Sequence, residues 1–166
     1  MTEGEAIKRA RAYFLTEDNV YGCAETTCVV LQEVFGLSNA TDSSAAMVLN
    51  GGVAWRGGIC GAVSGAAMAV GRLAEQRVTG HKNAKRIARW IIDRFIDEFE
   101  AVHGSADCRD LIGHSIHSQE GHTEFIESGI WRDVCMRQIE FAVRKLISLH
   151  DEQVWRETVR AIEAES

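Results

Sequence analysis

The chain has 166 residues, of which 46% are hydrophobic and 25% charged. Those are globular proportions, and they exclude a disordered chain while fitting one domain with a core of its own. Lys and Arg total 18 against 24 Asp and Glu, a net charge of −6, so the basic face that nucleic-acid phosphates require is missing. The apolar runs are short and broken by charges, which excludes a transmembrane helix. The opening MTEGEAIKRARAYF has no continuous apolar stretch of the secretory kind, and a cytoplasmic location is the expectation.

Proline is absent, where average usage would supply roughly eight, and helix interiors exclude proline. The hydrophobic period is accordingly near 3.6 almost throughout. A first helix is predicted over 3–15, with Ala6, Ile7, Ala10 and Phe14 inward. A second, capped by Asn19, carries Val20, Ala24, Thr27, Leu31 and Phe35 and stops at Gly36. Thr41, Asp42 and Ser43 offer caps for a short third helix reaching Leu49. Asn50-Gly51-Gly52 and Gly57-Gly58 read as a tight loop.

The stretch ICGAVSGAAMAVGRL then predicts a helix whose Gly61, Ala62, Gly65, Ala66 and Ala69 form a smooth stripe. Each Gly costs about 1 kcal/mol against Ala, so the stripe implies close approach by a helix or cofactor. A long helix is predicted over 83–103, burying Ile87, Ile91, Phe95, Phe99 and Val102. Residues 104–130 break the pattern: a short helix at 107–112, then a polar loop holding His114, His117 and His122. Helices over 131–150 (Val134, Ile139, Val143, Leu146, Ile147 inward) and 151–164 (Val154, Trp155, Val159, Ile162) complete the chain. The expectation is an all-α bundle of six or seven helices, with residues 1–166 as one domain.

The five cysteines carry the functional signal. With no export signal they are expected to be metal ligands, redox groups or core filler, not disulfides. Cys23, Cys60, Cys108 and Cys135 are separated by 37, 48 and 27 positions, which matches no zinc-finger or ferredoxin run. Cys60 falls at the expected N-terminus of the small-residue helix, where free N–H groups and the helix dipole favour thiolate. Cys28 lies five residues after Cys23, about 140° round the helix, and is read as core packing, with a resolving thiol as the alternative.

The hexapeptide Cys60-Gly61-Ala62-Val63-Ser64-Gly65 resembles the CGAxxG motif of the redox-active family named C_GCAxxG_C_C. Gly22-Cys23-Ala24-Glu25 is similar to the family's first cysteine element, and Gly51 to Gly58 to its glycine-rich approach. Cys108-Arg109-Asp110-Leu111-Ile112-Gly113 resembles the third element, and Cys135 falls where the fourth would lie. The resemblance implies a single helical redox domain and a site formed by Cys23, Cys60, Cys108 and Cys135, with Gly61 and Gly65 clearing space. It implies an iron–sulfur cluster or another metal there, serving electron transfer or redox sensing toward a partner protein. Covalent c-type haem is excluded, since no C-x-x-C-H occurs.

Two alternatives stand beside it: a zinc-binding structural module, and a metal-free thiol–disulfide relay with Cys60 as nucleophile. The acidic balance favours basic partners, and a homodimer is plausible. The histidines read as a hydrophilic surface loop; the alternatives are a mixed Cys/His metal site at His114 and His117 near Cys108 and a histidine that couples cluster reduction to proton uptake. Glu25 and Arg56 could tune a cluster's charge or simply be solvated; Trp55 and Trp131 are read as core, with walling a site as the alternative. Asp93, Asp97 and Glu98 read as the solvated face of a helix.

Overall fold

A computed structural model describes residues 1–18 and 20–165. It contains eight α-helices among those residues and no strand. They are α1 (Glu3–Phe14), α2 (Cys23–Val34), α3 (Gly61–Arg77), α4 (His81–His103), α5 (Cys108–Ile112), α6 (Gln119–Ser128), α7 (Met136–Leu146) and α8 (Glu152–Ala164). The all-α expectation is therefore met, with one helix more than the upper count. Asn19, the expected cap of the second helix, lies outside the described residues.

The helix ends follow from local chemistry. Thr2 caps α1 by accepting from the Glu5 N–H at 3.3 Å, while a Glu5 carboxylate oxygen accepts from the Thr2 N–H at 2.7 Å, a reciprocal pair that satisfies two orphan donors. Asp151 caps α8, its carboxylate accepting from Gln153 and Val154 N–H groups at 2.8 and 3.0 Å. Between α6 and α7, Trp131–Cys135 forms a π-helical turn, and Ile147–His150 extends α7 as a 3₁₀ turn. The helix expected over 131–150 thus exists as three periodicities in series.

One core runs through the bundle, built from Ala6, Ala10 and Phe14 on α1, Val30 and Leu31 on α2, Ile87, Phe95 and Phe99 on α4, and Ile139 and Val143 on α7. Helices α2 and α3 cross closely because α3 is smooth. A Cβ on Gly65 would strike the Ala24 carbonyl, and one on Gly61 would strike the Cys23 sulfur. That close approach is what the small-residue stripe implied, and it presses the start of α3 against the start of α2.

Four local expectations are corrected. Val20 precedes α2 and is 61% exposed, because the helix begins at Cys23 behind Gly22. Val102 is 64% exposed; His103 takes the inward place in the last turn of α4, its ring 4.4 Å from Phe99 and 5.1 Å from Phe141. The short third helix is reduced to a 3₁₀ turn at Met47–Leu49. The polar loop after α5 ends at Ser118, which accepts from the Gly121 N–H at 3.0 Å and opens α6.

Candidate redox centre

Each of the four cysteines occupies a place where a helix starts or changes period. Cys23 is the first residue of α2, Cys60 immediately precedes α3, Cys108 opens α5, and Cys135 closes the π turn that leads into α7. Helix starts carry N–H groups without intrahelical partners, and at Cys23 and Cys60 such groups lie beside the sulfur. Backbone N–H groups of Gly51, Ala24, Cys23 and Gly61 converge on the Cys23 sulfur, and those of Ala62 and Val63 on Cys60.

Two short extended segments fix Cys60 and Cys108 relative to each other. Ile59 and Asp107 form an isolated antiparallel bridge. The Cys60 N–H donates to the Ala106 carbonyl and the Cys108 N–H to the Gly58 carbonyl, both at 2.7 Å. Cys23 is held from the other side by Asn50, whose side-chain oxygen accepts from the Ala24 N–H at 2.9 Å and lies 3.9 Å from the Cys23 sulfur. Asn50 in turn donates to Glu25 at 2.9 Å, and Glu25 also accepts from the Gly22 N–H and the Ser43 hydroxyl, each at 3.0 Å. Glu25 is buried and fully employed as this hub, not solvated.

The four thiols sense one another. Charge on Cys23 disfavours charge on Cys60, Cys108 and Cys135, and Cys135 feels the other three. Desolvation is the larger cause at every one, pushing Cys108 up to about 12 and the others upward too. Burial therefore outweighs the helix-start N–H groups, and Cys60 is not the ready thiolate its position alone suggests. Four desolvated thiols crowded together ionise readily only beside positive charge, which is what a bound metal provides. All five cysteines are free thiols. Cys28 is 1% exposed, packed with Ala24 and Ala46 under Leu49 and Met68, the core role expected of it.

Among the described residues no three His, Cys, Asp or Glu side chains are close enough to hold a single metal ion. A lone tetrahedral zinc would draw its sulfurs to about 3.8 Å from one another, given Zn–S bonds of about 2.3 Å. In a [4Fe–4S] cluster each thiolate binds its own iron and the sulfurs stand further apart, whereas a [2Fe–2S] cluster takes two thiolates on each iron. A soft, all-thiol donor set suits zinc and iron–sulfur clusters alike.

A cavity of about 390 Å³ opens beside the thiols, with Cys23, Cys108 and Cys135 on one wall and Phe14, Phe125 and Trp131 among its aromatic residues. Cys60 lies behind, its thiol donating to the buried Gln138 side-chain oxygen at 3.4 Å. Trp131 is core as expected, but Trp55 is 44% exposed and stacks on His122, centroids 4.1 Å apart. Of the three loop histidines, His117 is exposed and His114 is bonded to the Ile112 carbonyl at 3.1 Å; His122 reaches the cavity. Asn50 and Gln138 were not singled out from sequence. Asn50 was visible only as the start of a glycine turn, and Gln138 only as a polar position on the stripe-bearing α7.

Trp55 reaches its place through an unusual backbone. Five consecutive residues, Gly51 to Trp55, have φ between 51° and 71°, all in the left-handed region. Each non-glycine residue there costs roughly 1–2 kcal/mol, and bonds from Ala54 N–H to Val48 and from Gly58 N–H to Gly52, at 2.8 and 3.1 Å, help hold it. Strain of this kind persists where the surroundings over-determine it, commonly at functional sites.

An all-helical bundle with four free cysteines from four separate chain segments, three of them lining one cavity, defines a cysteine-centred α-domain. Residues 21–149 match the family model described as "Putative redox-active protein (C_GCAxxG_C_C)", and the chain belongs to that family of redox-active proteins. Compared with curated proteins and with solved structures, it finds no match.

Proposed function

We propose that Cys23, Cys60, Cys108 and Cys135 hold one iron–sulfur cluster and that the protein uses it for electron transfer or redox sensing. The observation that carries this reading is that four free, desolvated thiols, from segments up to 112 positions apart in the sequence, lie near enough for charge on one to disfavour charge on another, with backbone N–H groups beside Cys23 and Cys60. Such a cluster gains and loses one electron at a time. The chain's own groups would set how readily: amide N–H groups aimed at Cys23 and Cys60 stabilise negative charge on sulfur, and the apolar cavity wall limits water. Gly61 keeps the Cys23 sulfur unobstructed, since any side chain there would collide with it.

A protein redox partner would meet the molecule at residues 47–59. Met47, Val48, Val53, Trp55 and Ile59, most of the large apolar side chains that are exposed, lie in that segment, next to the thiols. Clustered exposed apolar side chains mark interaction surfaces. No helix among the described residues is long and apolar enough to cross a membrane.

The test is a redox titration of anaerobically purified protein, followed by visible absorption and electron paramagnetic resonance. A reversible one-electron change of an iron–sulfur chromophore supports the reading. A colourless zinc protein would move the site to a structural role, and a two-electron change in thiol count without metal would make it a dithiol relay.

A further inference from the structure

Two amide side chains touch the thiols, and they are held in different ways. Asn50 is committed at both polar atoms: Nδ2 donates to Glu25 and to the Met47 carbonyl at 2.9 and 3.0 Å, and Oδ1 accepts from the Ala24 N–H at 2.9 Å. Gln138 is buried on α7, one helical turn after Cys135 and so on the same face as that cysteine. Its side chain makes one hydrogen bond among the described residues, accepting at Oε1 from the Cys60 thiol at 3.4 Å. A thiol is a weak donor, and burying an amide for it alone is costly. The other buried positions of α7 are Met136, Ile139, Ala142, Val143 and Leu146, so the amide stands out on an otherwise apolar face.

An amide can serve Cys60 both as a thiol and as a ligand. A thiol S–H seeks an acceptor, which Oε1 supplies; a ligating thiolate has lost that proton, repels a carbonyl oxygen and seeks a donor. Turning the Gln138 amide about its last bond exchanges Oε1 for Nε2 and breaks no bond except the one to Cys60. The same turn in Asn50 would break its bonds to Ala24, Glu25 and Met47. Backbone N–H groups of Ala62 and Val63 already lie beside the Cys60 sulfur, and Nε2 would add a donor from a second helix. We propose that Gln138 is a positioning residue of the centre: it accepts from Cys60 in the metal-free protein and reverses to donate an Nε2 hydrogen to the sulfur when Cys60 becomes a metal-bound thiolate. A donor on a ligating sulfur stabilises the more negative, reduced state and raises the potential. This rests on the reading of Cys60 as a ligand.

The full chain and its Gln138→Leu variant are loaded anaerobically with iron and sulfide, and the midpoint potential of each is measured by redox titration. Leu keeps much of the bulk and removes the donor. At parent iron content, the variant's equilibrium should shift about tenfold toward the oxidised form, 59 mV for one electron. A second readout follows the side-chain amide signals of Gln138 by nuclear magnetic resonance in isotope-labelled parent chain, metal-free and then loaded with zinc, which is diamagnetic. One amide proton should move downfield on loading and exchange more slowly with solvent. Should Gln138→Leu fail to fold or to load, the amide signals alone decide. Equal potentials in the parent and a loaded Gln138→Leu would overturn the proposal and leave the cluster standing, and amide signals unchanged by bound zinc would overturn it too. A zinc-induced amide shift in a chain that forms no iron–sulfur chromophore would keep Gln138 in its role and sink the cluster; a chain that takes up neither metal overturns both.

Discussion

The two ends of this bundle are built differently. The half formed by α4, α7 and α8 consists of regular helices with a continuous apolar face: Ile87, Ile91, Phe95 and Phe99 meet Ile139, Val143 and Leu146, and Ile162 closes the layer. The half that carries the cysteines has a left-handed turn at 51–55, a π turn at 131–135, a five-residue helix and a polar hub in which half-buried Asn50 donates to buried Glu25. Regularity gives stability, and irregular backbone lets sulfur, amide N–H and aromatic groups from distant segments meet at one place. The contrast teaches that departures from local preference here are concentrated where the thiols are.

The contrast breaks most visibly if the regular half is damaged. Phe99 is fully buried, and Phe99→Ala should cost about 3–5 kcal/mol, read as a lower denaturant midpoint. Metal content per folded molecule should stay at the parent level, because the rings that meet Phe99 are those of Phe95, His103 and Phe141 on the regular helices. If metal falls in step with stability, the two halves are not independent.

Gly65→Ala attacks the junction. Its Cβ would meet the Ala24 carbonyl, a backbone atom that moves only with α2, so a loss of about 1–3 kcal/mol is expected from overpacking. Since α2 begins at Cys23, metal content should fall as well, and parallel measurement of melting and metal checks both. Retention of full metal would show that the close crossing serves packing alone.

The strain at the irregular end has an opposite sign. Val53→Gly relieves a positive φ worth about 1–2 kcal/mol but adds chain entropy of about 0.5–1 kcal/mol to the unfolded state. A net gain of roughly 0.5–1 kcal/mol is expected in chemical denaturation. Destabilisation would mean that the Val53 side chain contributes more than its backbone costs.

The smallest effect is a pH dependence. Burial pushes the Cys28 thiol up to about 11 from an ordinary 9.0. The folded state therefore holds this proton more tightly than the unfolded one. Its contribution to stability is intact below pH 9 and is lost as pH rises from 9 to 11. In Cys28→Ala, melting temperature should fall less steeply over that window than in the parent; identical slopes would contradict the buried, uncharged thiol.

How much of this was readable in the chain follows the same division. The stripes of α1, α4, α7 and α8 were visible because a period of 3.6 against one core leaves little choice of face. The CGAVSG hexapeptide and its partner cysteines pointed to one site, and the four thiols lie near enough for charge on one to disfavour charge on another. The helix α6 was hidden because QEGHTEFIES buries only Phe125, too few apolar positions to show a period, although Ser118 and Gly129 were usable caps. Trp55 looked like core because no local pattern announces a left-handed turn that exposes a tryptophan. The hub at Glu25 joins residues up to 25 apart in sequence, and the thiolate preference expected of Cys60 failed because desolvation depends on what surrounds the helix start, not on the start itself.

The central claim, that four particular thiols hold one cluster, is tested most directly by counting iron and acid-labile sulfide in anaerobically purified protein and in five single Cys→Ser variants. The account predicts iron and sulfide in matching amounts in the parent and in Cys28→Ser, and their loss in each of the variants at Cys23, Cys60, Cys108 and Cys135. Retention of both in any of those four, or their loss in Cys28→Ser with the fold intact, would contradict it.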